Sequence, residues 1–143
     1  VSLWAFDPGA DTGWSRFDGG YLRACGLIHP GRFHQFSPSV VYQDDTAIIE
    51  RPTHYPGTDA NDLIILAERA GQLQGWCDAR GIKWEMVEPR TWKGSVPKPI
   101  HNKRVEAKLT QGELYLLDHC GCAKRQRNNV VDAIGLGLWK IRR

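Results

Sequence analysis

Residues 3–14, LWAFDPGADTGW, are an apolar run that ends on an acid and two chain breakers. Leu3 to Phe6 are expected to form a buried strand, and DPGADTG (7–13) a tight turn into a second strand near Trp14 to Phe17. An acid at the tip of a buried strand loses solvation, a cost usually offset by hydrogen bonds, a cation or a metal. Asp7 therefore needs a partner from elsewhere in the chain.

Working outward, Asp18-Gly19-Gly20 turns the chain into a third strand, about Tyr21 to Ile28, completing an antiparallel meander. His29 to Ser39, broken by Pro30, Gly31 and Pro38, reads as an irregular connection or a short helix. Thr46 to Ile49 repeat the logic of the first strand, since the run ends in Glu50 and is followed by Arg51-Pro52. HYPGTD (54–59) reads as a loop leading to a helix over about Ala60 to Arg80. Leu63, Leu66, Ala67, Ala70, Leu73, Gln74 and Cys77 give that helix one largely apolar face, a core stripe or a dimer seam. Gly71 and Gly75 would let another backbone approach it. Lys83 to Val87 form a further strand ending at Glu88-Pro89, followed by a basic segment, 90–104. Helices are expected around Lys103 to Leu109, Gln111 to Asp118 and Asn128 to Ile141, the last with Val131, Ile134, Leu138 and Trp139 inward and its surface thinned at Gly135 and Gly137. The fold class is α/β, a mixed sheet with helices on its faces.

The 143 residues, 41% hydrophobic and 24% charged, suit one domain over residues 1–143 with a core that needs no structural disulfide or metal. No apolar stretch reaches membrane-spanning length and the first residues lack a signal-peptide pattern, so a cytoplasmic protein without a membrane partner is expected. Cys25, Cys77, Cys120 and Cys122 form no paired C-x-x-C knuckles. His119, Cys120 and Cys122 lack the fourth ligand and the spacing of a zinc site, so the thiols read as buried or incidental. The net charge of +3 hides an asymmetry: residues 1–79 carry 5 Lys and Arg against 10 Asp and Glu, residues 80–143 carry 14 against 6. A basic C-terminal half suits a polyanion partner, and equally a solvated charged face.

Three acids stand out: Asp7 after the first strand, Glu50 after the fourth and Asp132 in the first turns of the last helix. Clustered carboxylates repel one another unless divalent cations sit between them, and magnesium or manganese suits oxygen ligands. Singly, each acid has an ordinary structural reading as a turn cap, a partner of Arg51 or a helix-dipole partner.

LWAFDPGADTGW, AIIERP (47–52), TWKGSVPKPIHNKRV (91–105) and NNVVDAIGLGLW (128–139) together resemble the RuvC-type Holliday junction resolvases of the RNase H-like superfamily, especially small phage-encoded ones. The resemblance implies an RNase H-like mixed five-stranded sheet, a three-strand antiparallel meander plus parallel strands, with helices on both faces. It implies Asp7, Glu50 and Asp132 as ligands of two Mg2+ or Mn2+ ions in a site that hydrolyses DNA phosphodiesters. It further implies a homodimer acting on a four-way junction, in the cytoplasm of a bacterial host if the chain is phage-encoded. Asn129 departs from the pattern, for the family generally places an Asp or His there as fourth ligand or base. Either three acids suffice, or Asn129 replaces an Asp and leaves the site inactive, the reading taken here. The rival readings are a nuclease for other branched DNA or RNA, and a noncatalytic junction-binding protein. DPGADTG also resembles the phosphate turn of sugar-kinase and actin-like ATPases, but their two domains do not fit 143 residues, so no nucleotide cofactor is expected.

Lys93, Lys98, His101, Lys103 and Arg104 are expected to contact DNA phosphates, with Lys124, Arg125 and Arg127 extending that surface. Tyr55, in the loop after Glu50, stands where it would stack on an unpaired base or remain an exposed loop residue. The six tryptophans read as core or interface anchors.

Overall fold

The computed structural model describes residues 1–38 and 40–143; of the His29 to Ser39 connection, Ser39 alone lies outside the described residues. Strands β1 (Ser2–Asp7), β2 (Thr12–Asp18) and β3 (Tyr21–Ile28) form the expected antiparallel meander. Gly19 and Gly20 both have positive φ (60° and 82°), which the two-residue hairpin between β2 and β3 requires. β4 (Thr46–Glu50) pairs parallel to β1, and β5 (Lys83–Val87) parallel to β4, giving one five-stranded sheet in the order β3-β2-β1-β4-β5.

Helices cover both faces. On one, α1 (Ala60–Ala79) begins where the Asp59 carboxylate accepts the Asn61 amide, and buries Ala70, Leu73, Trp76 and Cys77. Trp4 and Phe6 of β1 meet Trp76 edge-on at 5.7 and 5.8 Å between ring centroids, and Phe36 closes the cluster. Such pairs contribute roughly 0.5–1.5 kcal/mol each beyond the area they bury. The irregular connection holds a single 3-10 turn at Phe33–Gln35. The apolar stripe expected along α1 is fully buried in its C-terminal half only: Leu63 and Leu66 are half-buried, Ala67 is exposed, and Gly71 and Gly75 face open space; Ile64 and Ile65, outside the stripe, are exposed.

The other face carries α2 (Pro89–Lys93), α3 (Lys98–Ala107), α4 (Gln111–Asp118) and α5 (Arg127–Lys140). Two of these differ from the sequence reading. The basic segment 90–104 is largely helical, since α2 runs into it and α3 starts five residues before Lys103. Pro89, expected to end β5, and Pro99 both sit in the first turn of a helix, where no N–H partner is needed and the fixed φ is already helical. α4 is held by a full capping box of Thr110 and Glu113. Glu113 is buried; burial works to raise its carboxyl, but the Arg143 guanidinium and the Thr110 and Leu22 amides outweigh that and hold it at about 2.

α5 lies directly on β1 and β2. A Cβ at Gly13 would run into the Asn129 carbonyl, and one at Gly137 into the Phe17 ring, while Ser15 Oγ donates to the Ala133 carbonyl at 2.8 Å. Val130, Val131, Ile134 and Leu138 are buried as the pattern requires, but Trp139 is 37% exposed, not inward, because it falls on the flank of α5 beyond the sheet contact. Among the described residues no helix is long and apolar enough to cross a membrane.

Replacing a mid-helix glycine by alanine ordinarily stabilises a helix by about 1 kcal/mol. Gly137→Ala is expected to do the reverse, lowering stability by about 1–3 kcal/mol in a denaturant titration, because the buried Phe17 ring must shift.

Candidate active site

The three acids come within reach of one another's charge because each is the next residue on a face already buried. Ala5 of β1, Ile48 of β4, Trp92 of α2 and Leu136 of α5 pack as one small apolar layer. Two residues beyond Ala5 and Ile48 on the same strand faces stand Asp7 and Glu50, and one turn back from Leu136 stands Asp132. Phe6 pairs with Ile49, so Asp7 and Glu50 end neighbouring parallel strands side by side.

The electrostatics follow from that crowding. Burial, then the charges of Glu50 and Asp132, raise the Asp7 carboxyl well above the ordinary carboxylate range. Burial raises Glu50 too, opposed by Lys93 and by the Trp92 indole. Trp92 Nε1 donates to Glu50 Oε2 at 2.7 Å, and Lys93 Nζ lies 3.5 Å from the same oxygen. Burial works to lower the Lys93 ammonium, but Glu50, Asp132 and Asp7 together raise it. Lys98 Nζ lies 3.7 Å from Asp132 Oδ2, and His101 Nε2 3.7 Å from Oδ1. Burial pushes the His101 imidazole below its usual value despite the facing carboxylate. Neither His101 Nε2 nor Asp132 Oδ1 has a hydrogen-bond partner, although both are buried. The His101 ring packs edge-on against Trp92, centroids 5.1 Å apart.

Lys93, Lys98 and His101, expected on a DNA-facing surface, thus reach into the acid site. Trp92 was read as a packing anchor and is one, but its indole N–H also fixes Glu50. Period-2 and period-3.6 patterns reveal which face a residue takes, not which polar atom meets it, and α2 was unmarked. Lys103, Arg104, Lys124 and Arg125 are exposed, as is Tyr55 in the loop after β4. Arg127 is engaged by Glu106 (3.2 Å) and Asp118 (2.6 Å), tying α5 to α3 and α4. Asn129 stands one turn before Asp132 on α5, its carbonyl against Gly13. Cys120 and Cys122 bring their sulfurs to 3.2 Å, and among the described residues no group of His, Cys, Asp or Glu completes a metal site with them.

The fold is shared with solved structures. The chain superposes on Thermus thermophilus RuvC in complex with Holliday junction substrate with a TM-score of 0.66 at 14% identity, covering 97% of this chain and 92% of that one. The chain has the RuvC fold. The fowlpox virus Holliday junction resolvase matches the same RuvC-like architecture with a TM-score of 0.59 at 10% identity over 99% and 98% of the two chains. Its complex with substrate junction DNA matches at 0.58 and 13%, over 98% of each chain. No family model matches the sequence, and no curated protein does.

A divalent cation is tested here by the donors themselves. An orphaned buried carboxylate oxygen on Asp132 and a carboxyl on Asp7 raised by its two neighbours are what hard, oxygen-ligated cations relieve. As placed, the acids lean on lysines instead, and among the described residues no three His, Cys, Asp or Glu side chains draw round one point. The chemistry of the set fits a metal, with Lys93 and Lys98 occupying part of its role.

A pH dependence follows. A carboxyl raised in the folded state favours folding below its unfolded value and loses that contribution as pH rises through the folded one. Without divalent metal, Asp7→Asn is expected to melt a few degrees above the unmutated chain at pH 8, the gap closing near pH 4. Added Mg2+ should raise the melting temperature of the unmutated chain more at pH 8 than at pH 5 and leave Asp7→Asn unmoved, as read by thermal scans.

Proposed function

We propose that this chain is a divalent-metal-dependent endonuclease that resolves four-way DNA junctions by paired nicks as a homodimer. The observation that carries the reading is the meeting of Asp7, Glu50 and Asp132 at one end of a RuvC-fold sheet, beside a basic rim. Structures of this fold are described with Holliday junction DNA bound, which supports branched DNA as the substrate.

Asp7, Glu50 and Asp132 would together hold the Mg2+ or Mn2+ ions. Such ions would supply activation of the attacking water and stabilisation of the leaving 3′ oxygen. The protein's own residues do the rest. Trp92 keeps the Glu50 carboxylate in one orientation, so the ligand needs no reorganisation. Lys98, more than half exposed, swings from Asp132 to the incoming phosphate, and Lys93 stays to neutralise charge between the acids. His101 and the apolar layer beneath shut water out from behind Asp132.

Asn129 is a neutral amide where a further acid would add a ligand, and a cation binds an amide oxygen less well than a carboxylate. On this reading the chain is catalytically impaired. Asn129→Asp is expected to raise Mg2+-dependent cleavage of a four-way junction tenfold or more, with Y-fork, duplex and RNA-hybrid substrates cut less. Tight junction binding without cleavage in either form would identify a binding protein instead.

The dimer seam is assigned to α1. Ile64 and Ile65 of this helix are exposed, a cavity of about 500 Å3 lined by Leu63, Ala67, Gly71, Trp84 and Met86 opens along it, and a two-fold enzyme matches a two-fold junction. Ile64→Glu with Ile65→Glu should sediment as a monomer and lose paired nicking, while the Mg2+-dependent melting shift persists.

A further inference from the structure

A groove opens behind the acids that the mechanism above does not use. It is a cavity of about 670 Å3 between α3 and the C-terminal half of α5. Its floor is apolar, built from Val96, Val105, Leu138 and Trp139, and its rim carries Arg104, Lys108 and Arg142. No acid lines it. Arg104 and Arg142 are exposed and form no ion pair among the described residues, and Trp139, contrary to its pattern, turns its ring to this space. One end of the groove is the acid site itself, since Trp92, Lys93 and His101 belong to both. From Asp132 to Trp139 is seven residues, about 10 Å along α5.

Duplex DNA shows a wall of phosphates and hides its bases, so an apolar floor between cations has nothing to hold in it. An unpaired strand exposes both, and single-strand sites combine a cationic track with aromatic rings for the bases. The volume lies within the range of pockets that enclose a ligand of nucleotide size. We propose that the α3–α5 groove is a subsite for the unpaired DNA strand adjoining the scissile phosphate, with a base stacked on Trp139 and phosphates on Arg104 and Arg142. The inference rests on the nuclease reading for what lies at the groove's inner end, but its binding step requires neither metal nor cleavage.

The test is fluorescence anisotropy of a labelled thymidine decamer and of a duplex of equal length, on the full chain in chelator across a salt series. The decamer should bind more tightly than the duplex. Trp139→Ala should weaken decamer binding about 5- to 100-fold, the range of one lost base–aromatic stack, and Trp139→Phe should retain most of it. Arg104→Gln with Arg142→Gln should flatten the slope of log K against log salt by about 1.4, two phosphates at about 0.7 each. Unchanged decamer binding in these variants, equal losses on the duplex, or tighter binding of a uridine decamer would overturn the proposal. Decamer binding through Trp139 in a chain that cuts no junction, even as Asn129→Asp, would end the nuclease reading and leave this one. Junction cutting with variants that bind the decamer normally would do the opposite.

Discussion

The close seating of α5 on the sheet governs everything at the site. Gly13 and Gly137 have no side chain to hold the helix off, and the Ser15 hydroxyl is used up on the Ala133 carbonyl, so the helix backbone rests on β2. That contact sets the depth at which Asp132 arrives beside the ends of β1 and β4. A helix standing off by one methyl group would lift its acid away from Asp7 and Glu50 and weaken its share in raising the Asp7 carboxyl. The small layer of Ala5, Ile48, Trp92 and Leu136 works with it as a dry foundation for three charges.

Such a foundation stands in tension with stability. Acids at the end of a hydrophobic layer lose water and repel one another, and local rules are broken in this way at functional sites while the rest of the fold compensates. Here the compensation is visible. Lys93, Lys98 and the Trp92 indole take up charge and lone pairs, and the Trp4, Phe6, Phe36 and Trp76 cluster on the opposite face supplies apolar burial, with the Trp4 indole N–H donated to Asp45. The two faces of β1 thus differ, with Trp4 and Phe6 on the aromatic side and Ala5 leading to Asp7 on the other.

Much of this was legible in the sequence because it rests on short-period patterns. The five strands, their meander and parallel additions, and the acids at strand ends follow from apolar runs that stop at Asp7, Glu50 and Glu88 before breakers. α1 and α5 follow from their stripes. What escaped was governed by tertiary partners. Pro89 and Pro99 carry the same letter whether they break a helix or start one, and only the tethering of α2 beneath Glu50 decides. Trp139 fits an inward stripe by spacing alone, but the sheet contact ends at Leu138. Lys93 and Lys98 look like any solvated cations until the acids they face are in place.

Arg143 makes a different point about how the fold is closed. Arg143 sends its guanidinium back to Glu113, the Gly20 carbonyl and the Lys108 carbonyl, joining the β2–β3 hairpin, the end of α3 and the start of α4 at one knot. Removing that guanidinium, as in Arg143→Ala, would strand a buried anion, a loss of about 3–5 kcal/mol for a broken interior ion pair. The hairpin would loosen at a place far from Asp7, Glu50 and Asp132.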